Sequence, residues 1–90
     1  ASWSLYEQVT YDGGGITSRD WETYPIIRFN NIPEVKAILM ERPGEPFLGA
    51  GEAVAGPTGG AIINAIYSAV GLRLRRMPFD PDAIKLVAMQ

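Results

Sequence analysis

Gly56-Pro57-Thr58-Gly59-Gly60-Ala61-Ile62-Ile63-Asn64-Ala65-Ile66-Tyr67-Ser68-Ala69-Val70-Gly71 is the stretch on which the reading of the fold turns. From Gly59 onward, Ile62, Ile66, Ala69 and Val70 recur at helical spacing. Gly71 stands where a left-handed helix terminator is expected. The other side of the same helix carries Gly60, Ala61, Asn64, Ala65 and Ser68, so almost no position is strongly hydrophilic. A helix of that composition needs cover nearly all round.

The surrounding sequence reads mostly as strands. Leu5 to Tyr11 and Ile16 to Trp21 flank Asp12-Gly13-Gly14-Gly15, the pattern of a β-hairpin whose glycines supply the positive φ of a tight turn. Tyr24-Pro25-Ile26-Ile27-Arg28-Phe29 is extended, because Pro25 pushes Tyr24 out of the helical region, and Asn30-Asn31 breaks the run. After Pro33, the residues Glu34 to Met40 alternate, but neither Val35, Ala37 and Leu39 nor Lys36, Ile38 and Met40 is cleanly polar. Such a strand needs cover on both faces, in part or in full. Glu41 to Pro57 is too rich in proline and glycine for a helix and, at Phe47-Leu48, too apolar for a free linker, so an ordered loop is expected. Leu72-Arg73-Leu74-Arg75 alternates as a short strand, and Asp80-Pro81-Asp82 opens a C-terminal helix over Ala83 to Met89 with Asp80 as its N-cap. The predicted order, β-β-β-β-loop-α-β-α, describes an α+β fold with a small, mostly antiparallel sheet, one buried apolar helix and a short C-terminal helix. Residues 1–90 form a single domain or a fragment of one.

Composition removes whole classes of chemistry. There is no cysteine and no histidine. A disulfide framework, a thiolate or His-ligated metal, a Cys-His nucleophile and a Ser-His-Asp triad are therefore excluded within this chain. Enzymatic chemistry here must rest on a carboxylate. A formal charge of -2 offers no basic footprint for nucleic acid, and no apolar run approaches the roughly 20 residues that span a bilayer. The chain reads as soluble, with no leader segment.

The candidate site is Gly49-Ala50-Gly51-Glu52, just ahead of the apolar helix. Glycine-rich loops before helices often cradle phosphates. Two standard forms fail, because no Gly-Lys-Ser/Thr ending exists and Val54 stands where the dinucleotide fingerprint needs glycine. On spacing alone, a structural turn with a solvated Glu52 is the favoured reading. Other features have simpler explanations. The scattered aromatic residues Trp3, Tyr6, Tyr11, Trp21, Tyr24 and Tyr67 fit packing, Arg73, Arg75 and Arg76 fit an exposed strand face, and Asp80 and Asp82 fit helix capping rather than metal ligation.

The order of the residues adds a resemblance. Leu5-Tyr6-Glu7-Gln8-Val9-Thr10-Tyr11-Asp12-Gly13-Gly14, Tyr24-Pro25-Ile26-Ile27-Arg28-Phe29, Ile32-Pro33-Glu34-Val35, Gly49-Ala50-Gly51-Glu52, Gly56-Pro57-Thr58, Ala61-Ile62-Ile63-Asn64-Ala65-Ile66 and Leu74-Arg75-Arg76-Met77-Pro78-Phe79 resemble, in order, the extreme C-terminal segment of the molybdopterin-binding large subunit of the xanthine dehydrogenase and aldehyde oxidase family. Within it, the similarity is greatest to the bacterial branch of isoquinoline 1-oxidoreductase-like and aldehyde dehydrogenase-like subunits. Ala53-Val54-Ala55 departs from the proline-rich sequence that follows the glutamate in many relatives.

The resemblance implies an oxidoreductase that hydroxylates an aldehyde or an N-heteroaromatic substrate, with water as the oxygen source and a molybdenum-molybdopterin cofactor in a dinucleotide form. It places Glu52 as the catalytic base and Gly49, Ala50 and Gly51 against the cofactor, with no metal ligand in this segment. It implies as partners the remainder of the large subunit, an iron-sulfur subunit, and a flavin or cytochrome subunit. Ninety residues cannot hold that whole site, so this segment alone is expected to be inactive, to bind no cofactor and to be prone to homodimerise through exposed apolar area. Two alternatives stand beside this reading. One is a non-catalytic assembly module binding a partner chain through Ile62, Ile66 and Val70. The other is an independent small-ligand domain using the glycine loop.

Overall fold

The computed structural model describes residues 1–90. Its elements run α1 (Ser2–Leu5), β1 (Tyr11–Asp12), β2 (Gly15–Ile16), α2 (Ala55–Val70) and α3 (Pro81–Ala88). The architecture is α+β, with one two-stranded antiparallel sheet and its helices. No helix is long and apolar enough to cross a membrane.

The turns appear where local chemistry demands them. Tyr11 pairs with Ile16 and Asp12 with Gly15. The loop between them is closed by the Gly14 N–H donating to Asp12 Oδ1 at 2.7 Å, and Gly15 takes a φ of 119° that only glycine adopts freely. Beyond the ladder, the Thr17 N–H donates to the Thr10 carbonyl at 2.8 Å and the two threonine hydroxyls meet at 2.7 Å. Helix α2 ends at Gly71 with φ 71°, its N–H donating to the Tyr67 carbonyl at 2.8 Å. Helix α3 starts at Asp80, whose Oδ1 accepts the Ala83 N–H at 2.7 Å, with Pro81 in the first turn.

The expected strands are mostly not formed. Only two residues on each side of the hairpin pair, and Leu5, where the first strand is expected to begin, instead ends the helical turn Ser2–Leu5. Neither Glu34 to Met40 nor Leu72 to Arg75 is a strand. A strand needs a hydrogen-bonding neighbour, and within this chain neither segment has one. The alternation at residues 72–75 is nevertheless real, since Leu74 is 2% exposed and Leu72 half-buried while Arg73 and Arg75 face outward.

The expectation of a buried apolar helix is corrected in the same way. No residue of α2 is buried, and Thr58, Gly59, Ile62, Ile63 and Ile66 are only half-covered. Helix α2 packs on α1 alone among the elements, and the remaining circumference has nothing to lie against. Only Ser4, Leu74 and Phe79 are buried. They mark a small knot at which the Phe79 N–H donates to the Ser4 carbonyl at 2.7 Å, and the Ile27 N–H donates to Ser2 Oγ at 2.9 Å.

Two measures show how little the chain encloses. Its radius of gyration is 16.9 Å, where a compact domain of this length has about 12 Å. Its accessible surface is 8072 Å², where a compact protein of this mass exposes about 5,200 Å². The surplus is about 2,900 Å². Every residue from Arg28 to Pro57 is exposed, including Phe29, Val35, Leu39, Phe47 and Leu48.

Candidate functional site

Gly49-Ala50-Gly51-Glu52 lies at the end of this exposed stretch and runs directly into α2. The Glu52 carbonyl accepts the Ala55 N–H at 3.1 Å, so the residue closes the turn from which the helix starts. Its side chain is exposed and makes no hydrogen bond or ion pair within the chain. No side chain caps the helix start, where Val54 takes the cap position, and no acid lies in the first turn. Pro57 removes one further N–H from that turn.

The glycines of this loop have no local explanation. A Cβ added at Gly49 or Gly51 would meet nothing within 4 Å, and neither residue has a positive φ. Gly44, earlier in the same loop, differs in that its φ of 90° calls for glycine. Neither turn geometry nor crowding inside the chain requires glycine at positions 49 and 51.

No cluster of three or more His, Cys, Asp or Glu side chains is placed to hold a metal ion, and one carboxylate on an open loop is not a metal site. The loop is a stretch of exposed backbone carrying one free acid.

Beside the loop, α1, the first two turns of α2 and residues 75–79 enclose an open groove of about 550 Å³, lined by Trp3, Gly56, Gly59, Ile63, Met77 and Phe79 among others. The small residues on this face of α2 permit the close approach of α1, since a Cβ at Gly59 would come within 3.4 Å of Ser4 Oγ. A second groove of about 710 Å³ runs between residues 73–78 and α3. Neither is lined by residues 49–52. The four predicted site residues are therefore contiguous with each other but not joined by a second reactive group from this chain.

One cluster escapes a reading of the sequence. Arg73 Nη1 donates to Asn64 Oδ1 at 3.1 Å, and its guanidinium lies 4.0 Å over the Tyr67 ring. Asn64 and Tyr67 stand three residues apart on α2, a spacing that puts them on one helix face. That they receive Arg73 depends on the reversal at Gly71.

The chain is similar to segments of two much longer dehydrogenases. It is 35% identical over 81 residues, 90% of its own length, to a nicotinate dehydrogenase subunit of Pseudomonas putida, and those residues make up 7% of that protein. It is 36% identical over 77 residues, 86% of its length, to the membrane-bound aldehyde dehydrogenase [pyrroloquinoline-quinone] of Gluconacetobacter polyoxogenes, of which they make up 10%. The chain thus spans a tenth or less of either relative. No protein-family model matches the chain, and no solved structure does. Both relatives carry oxidoreductase names, and the first is named as one subunit of its enzyme.

Proposed function

We propose that these residues are a segment of a molybdenum hydroxylase large subunit and that Glu52 is its general base. The observation that carries the proposal is the placement of Glu52. It is a lone, unpaired carboxylate at the mouth of α2, behind two glycines with open space at their Cβ positions, in a chain nine-tenths of which aligns with a dehydrogenase subunit. The molybdenum assignment itself rests on the seven landmarks from Leu5 to Phe79, and not on the relatives' names, one of which specifies pyrroloquinoline quinone.

In this reading the remainder of the subunit would hold the molybdenum-molybdopterin group, which when bound would supply the oxygen to be transferred and accept the electron pair and hydrogen of the substrate C–H bond that breaks. Gly49, Ala50 and Gly51 present bare backbone to that group. The Glu52 carboxylate accepts a proton from the attacking oxygen as the bond to the substrate carbon forms, and a positioned base of this kind contributes about 10²- to 10⁴-fold in rate. The names of the relatives favour two substrate classes, an N-heteroaromatic acid and an aldehyde. An iron-sulfur subunit and a flavin or cytochrome subunit carry the electrons away.

The test is Glu52→Gln in the complete enzyme. The amide keeps the shape and removes the base, so turnover should fall by about 10²- to 10⁴-fold while molybdenum content stays unchanged. Unaltered turnover overturns the assignment of Glu52.

A further inference from the structure

The segment from Ile32 to Arg42 shows a conflict within the chain. It belongs to no helix, strand or turn, and no backbone N–H or C=O group between Ile32 and Glu41 makes a backbone hydrogen bond. Its sequence is largely apolar, with Val35, Ile38, Leu39 and Met40 all at least 76% exposed. Backbone groups can remain unpaired only in water, and a contiguous apolar run of this kind is rarely left there.

We infer that residues 34–40 are a donor strand that completes a β-sheet of the longer polypeptide, pairing with it along both edges. Three observations select this occupant. The segment's unmet need is a row of main-chain donors and acceptors, which an adjoining strand on each edge satisfies. Its apolar side chains fall on both alternating sets, so the strand lies inside a sheet covered on two faces, not at a solvated rim. Pro33, which cannot donate to a ladder, sits just before it, where a strand can begin.

The area argues against a second copy as the occupant. The surplus of about 2,900 Å² on this one chain exceeds the share that each partner contributes to ordinary obligate interfaces, which bury about 2,000–5,000 Å² in total. A much longer polypeptide, such as those of which the aligned residues form only 7% and 10%, has the surface to cover it. The inference rests on the reading of this chain as part of a larger subunit, but not on the role of Glu52.

Hydrogen exchange read by mass spectrometry tests it, on the ninety-residue chain and on the complete enzyme that contains it. Amides 34–40 should exchange at unstructured rates in the ninety-residue chain and at least about 100-fold more slowly in the enzyme. Fast exchange in both overturns the inference. Slow exchange in the ninety-residue chain that grows with concentration overturns it too, and assigns the strand to self-pairing. In the enzyme, Lys36→Pro should speed exchange of the neighbouring amides, whereas Lys36→Thr, which keeps the N–H and suits a strand, should not. If Lys36→Pro prevents assembly, the comparison of unsubstituted proteins still decides. Exchange is independent of turnover, so an inactive Glu52→Gln enzyme with a protected strand, or an active one without, separates this inference from the catalytic proposal.

Discussion

Replacing Gly51 by alanine separates what this chain needs from what its surroundings need. Inside the chain the substitution adds a methyl group into open space, on a backbone outside the left-handed region. Folding of the isolated chain should be unchanged or stabilised by up to about 1 kcal/mol, through loss of freedom in the unfolded state. In the complete enzyme the same methyl group meets the cofactor or the polypeptide proposed to lie against the loop. Overpacking there costs about 1–3 kcal/mol, which corresponds to about a 5- to 140-fold loss in kcat/KM if it falls on the transition state. Gly44→Ala is the internal control. Its site is equally open, but its φ of 90° strains any side-chain-bearing residue, so the isolated chain should lose about 1–2 kcal/mol. Urea denaturation of the isolated variants and steady-state kinetics of the assembled ones provide the two readings. If Gly51→Ala leaves kcat/KM untouched, or destabilises the isolated chain as Gly44→Ala does, the reasoning fails.

Asp80→Ala should destabilise the chain by about 1 kcal/mol, because Oδ1 holds the Ala83 N–H at 2.7 Å, and Asp80→Asn should recover most of that loss in the same denaturation experiment. Asp20 sits below the usual carboxylate range, chiefly because the Thr23 N–H donates to it, then the Thr23 hydroxyl, then the Glu22 N–H. Its contribution is therefore complete above the unfolded value of about 4 and lost as pH falls through the lower folded value. The Thr23 amide resonance should move only in strong acid, and movement near neutrality would contradict this. Tyr24 is raised above its ordinary value, first because its hydroxyl donates to Glu7 Oε2 at 2.8 Å and then because of desolvation and the Glu7 charge. This contribution is present below about pH 10 and lost as pH rises through the folded value, so Tyr24 should be slow to ionise in ultraviolet titration, and Glu7→Gln should advance it.

The features legible in the sequence are those closed by neighbours a few residues away. The Asp80 cap, the Gly71 terminator and the Asp12-Gly15 turn all depend on hydrogen bonds or φ values within a few positions, and all three form as expected. The strands are not legible in the same way, because their formation depends on distant partners. Leu72 to Arg75 has the alternation of a strand and the burial of one at Leu74, yet no second strand reaches it. The candidate site divides likewise. Its residues are contiguous in the chain, but nothing in the chain lies within 4 Å of a Cβ placed at Gly49 or Gly51.

By itself the sequence determined the local punctuation, the apolar character of α2 and the absence of any histidine or cysteine chemistry, since all of these follow from side-chain type and short-range spacing. Only the tertiary structure decided that α1 sits against α2, that Arg73 folds back onto Asn64 and Tyr67, and that the run from Arg28 to Pro57 has nothing in this chain to cover it. The physical reason is that burial and strand pairing are relations between distant surfaces, and a sequence states the demand for a partner without stating where that partner is.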